Sequence, residues 1–331
     1  MSIVVLTGAT GFVGSHLADH LLQKGYEVHC IVRKNSNLQW LHNKNIHCHD
    51  VGLTQTAPLQ NIVEQADYIY HVAGTVRGIT AQDYYNGNVI PTFHLLEAAQ
   101  KYGKRLKNMV VISSLAAAGP TVANRPLTEK DTVRPISWYG ESKWQQEQLC
   151  HQYMDTLPLT IIRPPAVYGP RETDIFLIFK AAQRGVMLQV GLVGSQQLSL
   201  VHVRDLVEGI STAAEHRLAV GQTFFMGSMA HYTLEDMQQY IEQALGKKVV
   251  QIRVPNWTIH SAARAATYWA SRTQRPSILS LDKAKELTAE AWTCSSEKAT
   301  QLIGYRPQIS LATGIAQTIA WYKKAGWLSV K

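Results

Sequence analysis

Long apolar runs are what this sequence most clearly lacks. Among its 331 residues no uninterrupted apolar stretch approaches the length of about 18 residues that a membrane-spanning helix requires. The chain enters an apolar segment at Ile3 with no basic segment before it, so we expect no signal peptide. These two absences predict a cytoplasmic protein without a membrane span.

Cysteine is also scarce. The four cysteines, Cys30, Cys48, Cys150 and Cys294, are scattered, and no two of them form a Cys-x-x-Cys pair. We therefore expect reduced, mostly buried thiols, as in a cytoplasmic protein. Internal repeats and low-complexity segments are absent too.

A dense block of lysine and arginine is missing, although the formal net charge is +8. The sequence therefore gives no support to nucleic-acid binding and favours an anionic small molecule as partner. Hydrophobic residues make up 46% and charged residues 17%, which is ordinary for a soluble enzyme. A chain of this length can form one large α/β domain or a domain with a subdomain.

Apolar strands alternate with helical stretches in the first half, which predicts a Rossmann-type, doubly wound parallel sheet covered on both faces. A dinucleotide-binding domain would span 1–170, and a smaller α/β part, mainly for substrate, would span 171–331; the boundary is approximate because the chain can cross back. The predicted strands are 3–6, 27–32, 46–49, 67–71, 108–113, 159–163, 222–226 and 249–252. The predicted helices are 12–24, 36–43, 55–65, 82–102, 138–156, 173–185, 204–216, 233–245, 257–272 and 310–325.

The first strand is followed by a glycine-rich turn with the spacing Gly-x-x-Gly-x-x-Gly. Glycine at the first position permits a tight turn, at the second a close approach of backbone to a pyrophosphate, and at the third close packing of helix on strand. The amides of the following helix would then face the phosphates. An ordinary structural turn is the alternative. The predicted phosphate contacts are Gly8, Thr10, Gly11, Phe12, Val13 and Gly14.

The second strand ends at Arg33 and Lys34, where an NAD-selective site usually has an acid. A cation suits a 2′-phosphate, so this position favours NADP, with NAD remaining possible; a solvated loop residue is the alternative for Arg33. Asp50 and Val51, after the third strand, are expected near the adenine, although Asp50 is nearly as well explained as a turn cap. After the fourth strand, small residues would let the backbone pass close to the cofactor: Val72, Ala73 and Gly74.

His47 and His49 flank Cys48, which invites a metal interpretation. Consecutive strand residues alternate between faces, so only the two histidines would share a face. Without a further ligand we predict no metal site.

Tyr139 and Lys143 lie four positions apart, on one face of a predicted helix. A nearby ammonium favours the phenolate, so such a tyrosine can exchange a proton with a substrate oxygen while hydride moves at the adjacent carbon. Ser113 and Ser114 end a buried strand at the ligand edge of the sheet, and one of them is expected to hold the same oxygen.

These motifs resemble the extended short-chain dehydrogenases/reductases, which include sugar-nucleotide epimerases and dehydratases, dihydroflavonol reductases and 3β-hydroxysteroid dehydrogenases. The resemblance also rests on the segments 163–171 and 202–206 and covers nearly the whole chain. It implies Ser114 as the catalytic serine beside Tyr139 and Lys143, and contacts from Pro164 and Val167 to the nicotinamide end. It further implies a supporting role for Asn88 and a homodimer through the helices 82–102 and 138–156.

The function that follows is an NADP-dependent oxidoreductase acting on a carbonyl or alcohol of a small organic substrate. A nucleotide-sugar epimerase or dehydratase with retained NAD(P) is the alternative, and a regulator without catalysis is disfavoured by the complete Ser-Tyr-Lys set. Trp257, Trp269 and Trp292 are expected in a core or an interface. Predicted to line the substrate site are Thr75, Arg77, Trp138, Tyr168 and the segment 187–200.

Overall fold

The computed structural model of the chain describes residues 2–122, 125–190, 196–277 and 279–329. In chain order the strands are β1 (Ile3–Thr7), β2 (Glu27–Ile31), β3 (Ile46–His49), β4 (Tyr68–His71), β5 (Asn108–Ile112), β6 (Leu159–Arg163), β7 (Ala166–Tyr168), β8 (Val186–Val190), β9 (Gln197–His202), β10 (Gln222–Phe225), β11 (His231–Tyr232), β12 (Val250–Val254) and β13 (Ala291–Trp292). The helices are α1 (Phe12–Gln23), α2 (Gln60–Val63), α3 (Ala81–Tyr102), α4 (Leu115–Ala118), α5 (Trp138–Tyr153), α6 (Phe176–Gln183), α7 (Val203–Glu215), α8 (Leu234–Leu245), α9 (Asn256–Thr273), α10 (Leu281–Leu287), α11 (Glu297–Ile303) and α12 (Leu311–Lys324), with short 3₁₀ turns at Ala57–Leu59 and Arg217–Ala219.

A seven-stranded parallel sheet in the order β10-β6-β5-β4-β1-β2-β3 forms the centre of the fold. Successive residues of a strand face opposite sides, so β1 contributes to two hydrophobic layers. Val4 and Leu6 pack with Leu17 of α1, and Val5 packs with Leu95 of α3. The predicted doubly wound parallel sheet is thus confirmed, with all strand carboxyl ends at one edge.

The predicted helix over 36–43 is wrong. Residues of this segment form hydrogen-bonded turns, such as the one from Leu41 N to Leu38 O at 2.8 Å. The side chain of Asn37 accepts from the backbone N–H of Gln39 at 3.0 Å, a local bond that competes with helix formation. Asn43 then has φ +57°, which ends any right-handed helix.

The second half of the chain contributes both to the main sheet and to a separate layer. Strand β10 pairs with β6 at the edge of the main sheet. Strands β7, β9, β11 and β13 form a small mixed sheet, and β8 and β12 form a two-stranded parallel sheet. Phe179, Ile315 and Tyr322 belong to a hydrophobic cluster of their own. The division at residue 170 remains a prediction. Within the described ranges no helix combines the length and apolar character needed to cross a bilayer.

Candidate active site

The glycine turn after β1 and the turn after β4 touch each other. Gly8 has φ +75°, and a Cβ on it would lie 2.6 Å from the backbone nitrogen of Ala73. A Cβ on Gly14 would lie 2.1 Å from the carbonyl oxygen of Gly8. A side chain on Gly8 would force the two turns apart, and one on Gly14 would push α1 away from the glycine turn. Both positions therefore need glycine for space, and Gly8 also for its backbone conformation.

The amino terminus of α1 suits a bound anion. Gly11 is its N-cap, no side chain caps the helix, and no acidic residue lies in its first turn. The first N–H groups of a helix lack intrahelical partners and attract negative charge. Thr10 precedes this cap, and Phe12 and Val13 follow it. The residues present thus fit the pyrophosphate of a dinucleotide.

Beyond β2 and β3 lie the side chains predicted to meet the adenosine half. Arg33 and Lys34 are exposed, and the N–H of Arg33 donates to Ser36 Oγ at 3.1 Å in a tight turn. Asp50 and Val51 are also exposed, and Gly52 N donates to Val32 O at 3.0 Å, which holds the two strand ends together. The edge therefore presents two cations with no acid at the end of β2.

Ser113 and Ser114 have different partners. The hydroxyl of Ser113 donates to the carboxylate of Glu147 in the protein interior. Ser114 is the N-cap of α4, accepts from Ala116 N at 3.1 Å, and lies close enough to Tyr139 to lower the pKa of its phenol. The structure therefore brings Ser114, not Ser113, to Tyr139.

Lys143 is almost fully buried beneath the turn after β4. Its ammonium donates to Ile112 O at 2.7 Å and to Gln146 Oε1 at 2.9 Å. A Cβ on Gly74 would approach Lys143 Nζ to 3.3 Å, so the backbone of the predicted cofactor turn lies directly against this charge. Burial lowers the pKa of Lys143 to about 8.

Tyr139 also lies in a desolvated place. Burial raises the pKa of Tyr139 to about 12, and the negative charge of Glu286 acts in the same direction, while the hydrogen bond from Ser114 opposes it. Without a bound cofactor the phenol therefore holds its proton at neutral pH. A proton donor at this point is what reduction of a carbonyl oxygen requires.

Asn88 links the turn after β4 to α5. Its side chain accepts from Thr75 N at 2.8 Å and donates to Ser142 Oγ at 2.8 Å. These bonds place Thr75 beside the helix that carries Tyr139 and Lys143. The carbonyl of Pro164 accepts from Leu115 N at 2.8 Å, which brings Pro164 next to the Ser114 segment. Val167 is half-buried in β7.

The other predicted substrate residues do not all gather here. Trp138 is 43% exposed beside Tyr139, and Arg77 forms an ion pair with Asp174. Tyr168 is only 4% exposed and belongs to the hydrophobic cluster of the C-terminal half, with its hydroxyl against Gly314. We correct the expectation for Tyr168 to a packing role. Of the segment 187–200, residues 191–195 lie outside the described residues.

Two acids that the sequence did not single out hold the amino terminus of the Tyr139 helix. Asp282, on α10, accepts from Trp138 N at 2.6 Å and from Tyr139 N at 3.4 Å. Glu286 accepts from Ser137 Oγ at 2.6 Å. No local pattern could identify residues that lie more than 140 positions away from their partners.

The histidines of β3 meet further polar side chains on β2. His29 is bonded to His49 and to Glu27, both at 3.0 Å, and its ring lies 4.7 Å from that of His47. Glu27, His29 and His47 lie close enough together to hold a metal ion in principle. Both ring nitrogens of His29 already form hydrogen bonds, one with His49 and one with Glu27. We therefore keep the prediction that this cluster binds no metal ion.

Comparison with known proteins places these features in a family. The family model described as "NAD dependent epimerase/dehydratase family" matches residues 4–227. A ceramide reductase of Caulobacter vibrioides is 29% identical over 98% of this chain and 96% of its own length. A UDP-glucose 4-epimerase of Vibrio cholerae is 29% identical over 77% of this chain and 79% of its own.

Solved structures show the same fold. The UDP-glucuronic acid 4-epimerase from Bacillus cereus, in complex with UDP-glucuronic acid and NAD, superposes with a TM-score of 0.78 over 98% of this chain and 99% of its own, at 24% sequence identity. The expected superfamily and enzyme class are confirmed: this is an NAD(P)-dependent enzyme of the extended short-chain dehydrogenase/reductase type. The chain belongs to the NAD-dependent epimerase/dehydratase family.

Proposed function

We propose that the protein is an NADP-dependent oxidoreductase that transfers hydride between the nicotinamide and a carbonyl or alcohol of a small organic substrate. The observation that carries this proposal is that the side chains of Ser114 and Tyr139 lie together beside the buried ammonium of Lys143. A curated reductase that is similar over 98% of the chain adds support.

The nicotinamide, when bound, supplies the hydride to the carbonyl carbon or accepts it from the alcohol carbon. Ser114 donates a hydrogen bond to the substrate oxygen and orients it. Tyr139 gives its phenolic proton to that oxygen in reduction and takes it back in oxidation. Lys143 favours the phenolate through its positive charge, which lowers the cost of the proton leaving Tyr139.

The choice of NADP rests on Arg33 and Lys34, which are exposed at the end of β2 where an acid would repel a 2′-phosphate. NAD remains the alternative cofactor. The epimerase alternative is favoured by the similarity to a UDP-glucose 4-epimerase. An epimerase regenerates its cofactor in each turnover, whereas a reductase consumes it.

The test is a panel of aldehydes and ketones with free NADPH, followed by the absorbance of NADPH. Wild-type protein should consume NADPH, and Tyr139→Phe should lower kcat by roughly a hundredfold to ten-thousandfold while NADPH binding is retained. Tyr153→Phe, on the same helix but bonded to Glu97, is the matched control and should keep its activity. Turnover by Tyr139→Phe at the wild-type rate would refute the mechanism. Conversion of a nucleotide sugar without net change in NADPH would favour the epimerase.

A further inference from the structure

Helix α9 exposes large aromatic side chains. Trp257 is 69% exposed, Tyr268 57% and Trp269 67%. The expectation that Trp257 and Trp269 lie in a core is therefore excluded, which leaves an interface. A group of large apolar side chains on a protein surface normally marks a site that binds another protein or a membrane.

Trp257 and Tyr268 lie on one side of the helix, and Trp269 lies at the edge of that side. The inner side is marked by Ala263 and Ala270, which are buried two turns apart. Trp257, Arg264 and Tyr268 follow the spacing of seven and four that places residues on a common outward stripe. Arg272 lies over the ring of Tyr268 at 5.3 Å. We name this surface the aromatic–basic face: Trp257, Arg264, Tyr268, Trp269 and Arg272.

The segment around this face carries charge of one sign only. Between Glu242 and Asp282 the sequence contains no acidic residue, whereas ordinary solvated helices mix both signs. The same segment carries six cations out of a chain with a net charge of +8: Lys247, Lys248, Arg253, Arg264, Arg272 and Arg275. Of these six, Arg264 and Arg272 lie on α9 itself, and Arg272 stacks on the ring of Tyr268.

The strand that leads into α9 also exposes apolar side chains. In the β8–β12 pair, Leu188 and Ile252 are register partners and are 59% and 46% exposed. Val250, on the same side of β12, is 66% exposed. Strand β12 ends at Val254, two residues before α9 begins, so exposed apolar side chains continue along the chain to Trp257.

We propose that the aromatic–basic face docks the protein on the surface of a bilayer that contains anionic phospholipids. Tryptophan and tyrosine suit the interfacial region because each combines an apolar ring with a polar group. Arginines beside them meet lipid phosphates, and a negatively charged membrane attracts an acid-free segment. The helix lies along the interface, since its arginines exclude a spanning position.

The position of α9 also indicates a class of substrate, and this step rests on the proposed function. The inner side of α9 contributes Thr267 and Ala270 to a cleft whose other walls include Ile79, Trp138 and Leu281. Trp138 directly precedes Tyr139 on α5. A docked α9 would hold this mostly apolar cleft one helix diameter, roughly 10 Å, from the membrane surface. The expected substrate is therefore a membrane-resident lipid with a carbonyl or hydroxyl group.

The test is sedimentation of the full chain with vesicles of phosphatidylcholine alone or with added phosphatidylglycerol. We expect binding to the anionic vesicles that weakens with salt. Trp257→Ala/Trp269→Ala and, separately, Arg264→Gln/Arg272→Gln should each lower vesicle affinity by roughly tenfold or more. The matched controls Leu218→Ala and Arg217→Gln alter exposed residues of the 3₁₀ turn at Arg217–Ala219 and should bind like wild type. Circular dichroism establishes that each variant is folded.

Equal binding of wild type and both α9 variants, or no binding to anionic vesicles, would overturn the docking proposal. The proposal would also be overturned if the face proved to be a subunit contact. In that case light scattering would show that Trp257→Ala/Trp269→Ala dissociates an oligomer, and the wild type would not bind vesicles. The proposed function is tested separately with a short water-soluble aldehyde and NADPH in the absence of vesicles. Turnover without vesicle binding refutes the docking alone, and vesicle binding without NADPH consumption on water-soluble or lipid carbonyls refutes the reductase alone.

Discussion

At the scale of single residues, the choice between NADP and NAD depends on the side chain that follows β2. Arg33→Ala removes an exposed cation that would pair with a 2′-phosphate. We expect the Kd for NADPH to rise by roughly tenfold, the size of one charge-assisted hydrogen bond at an exposed site, and the Kd for NADH to change little. Fluorescence titration measures both constants. Arg217→Ala, an exposed arginine elsewhere, is the control, and an equal loss of both cofactors would rule out the assignment.

A second prediction at the scale of residues concerns the effect of Lys143 on the free energy of unfolding. Its pKa is lowered by burial to about 8, below the ordinary 10.5 that the unfolded chain is expected to keep. Between these values the unfolded state binds more protons, so the lysine's contribution to the free energy of unfolding rises with pH. Below pH 8 the buried charge destabilises the fold, and above 10.5 the cost disappears.

Denaturant unfolding of wild type and Lys143→Met at pH 7.5 and pH 10 measures this effect. Relative to Lys143→Met, the unfolding free energy of wild type should be higher at pH 10 than at pH 7.5, by an amount on the order of 2 kcal/mol. Lys104→Met is the control, because the exposed side chain of Lys104 is solvated in both states. A difference that is constant with pH for Lys143→Met would show that the ammonium is not held in a desolvated site.

At the scale of elements, α10 acts on the helix that carries Tyr139. The carboxylate of Asp282 accepts from the first N–H groups of α5, which would otherwise lack partners. Asp282→Ala should lower kcat roughly tenfold with little change in the Kd for NADPH, because Tyr139 loses its fixed position while the glycine turn is untouched. Asp282→Asn keeps an acceptor and should recover much of kcat.

Asp236→Ala is the control for this prediction, since Asp236 also holds a helix amino terminus, by accepting from Thr233 N in the capping box of α8, a helix that does not carry Tyr139. Steady-state kinetics with a fixed carbonyl substrate, together with NADPH titration, separates the two parameters. A fall in NADPH affinity equal to the fall in kcat would point to general disruption of the fold and not to positioning of Tyr139.

The elements also show what sequence could and could not predict. The strands of the first half were predicted because continuous apolar runs such as Val110-Val111-Ile112 are buried on both faces, a signal that is entirely local. The helix predicted over 36–43 does not form because the side chain of Asn37 accepts a hydrogen bond from Gln39 N, which competes with the helical backbone pattern. The hydrogen bonds from the amino terminus of α5 to Asp282 could not be predicted, because they join segments far apart in the chain.

At the scale of the whole molecule, the cofactor side of the site could be predicted from local sequence signals, whereas the other side depends on contacts between distant segments. The predicted cofactor residues lie on turns after consecutive strands, and parallel topology brings such turns to one edge. The cleft beside Trp138 is lined by residues of α9 and α10, and this arrangement depends on tertiary contacts that sequence spacing does not indicate. Tyr168 illustrates this: an aromatic residue next to the predicted site turned inward to fill the second core.

The assembly of two chains is the last prediction and also belongs to this scale. Helices α3 and α5 pack side by side, and α3 keeps Tyr85 and Phe93 exposed at 38% and 39%. If the chain dimerises through these helices, Phe93→Arg should place unpaired charges in the contact and yield a monomer in light scattering, with NADPH binding retained. Leu218→Arg and Trp257→Ala/Trp269→Ala lie elsewhere and should leave the dimer intact. If the dimer persists in Phe93→Arg but dissociates in Trp257→Ala/Trp269→Ala, the subunit interface lies on the aromatic–basic face and not on α3 and α5.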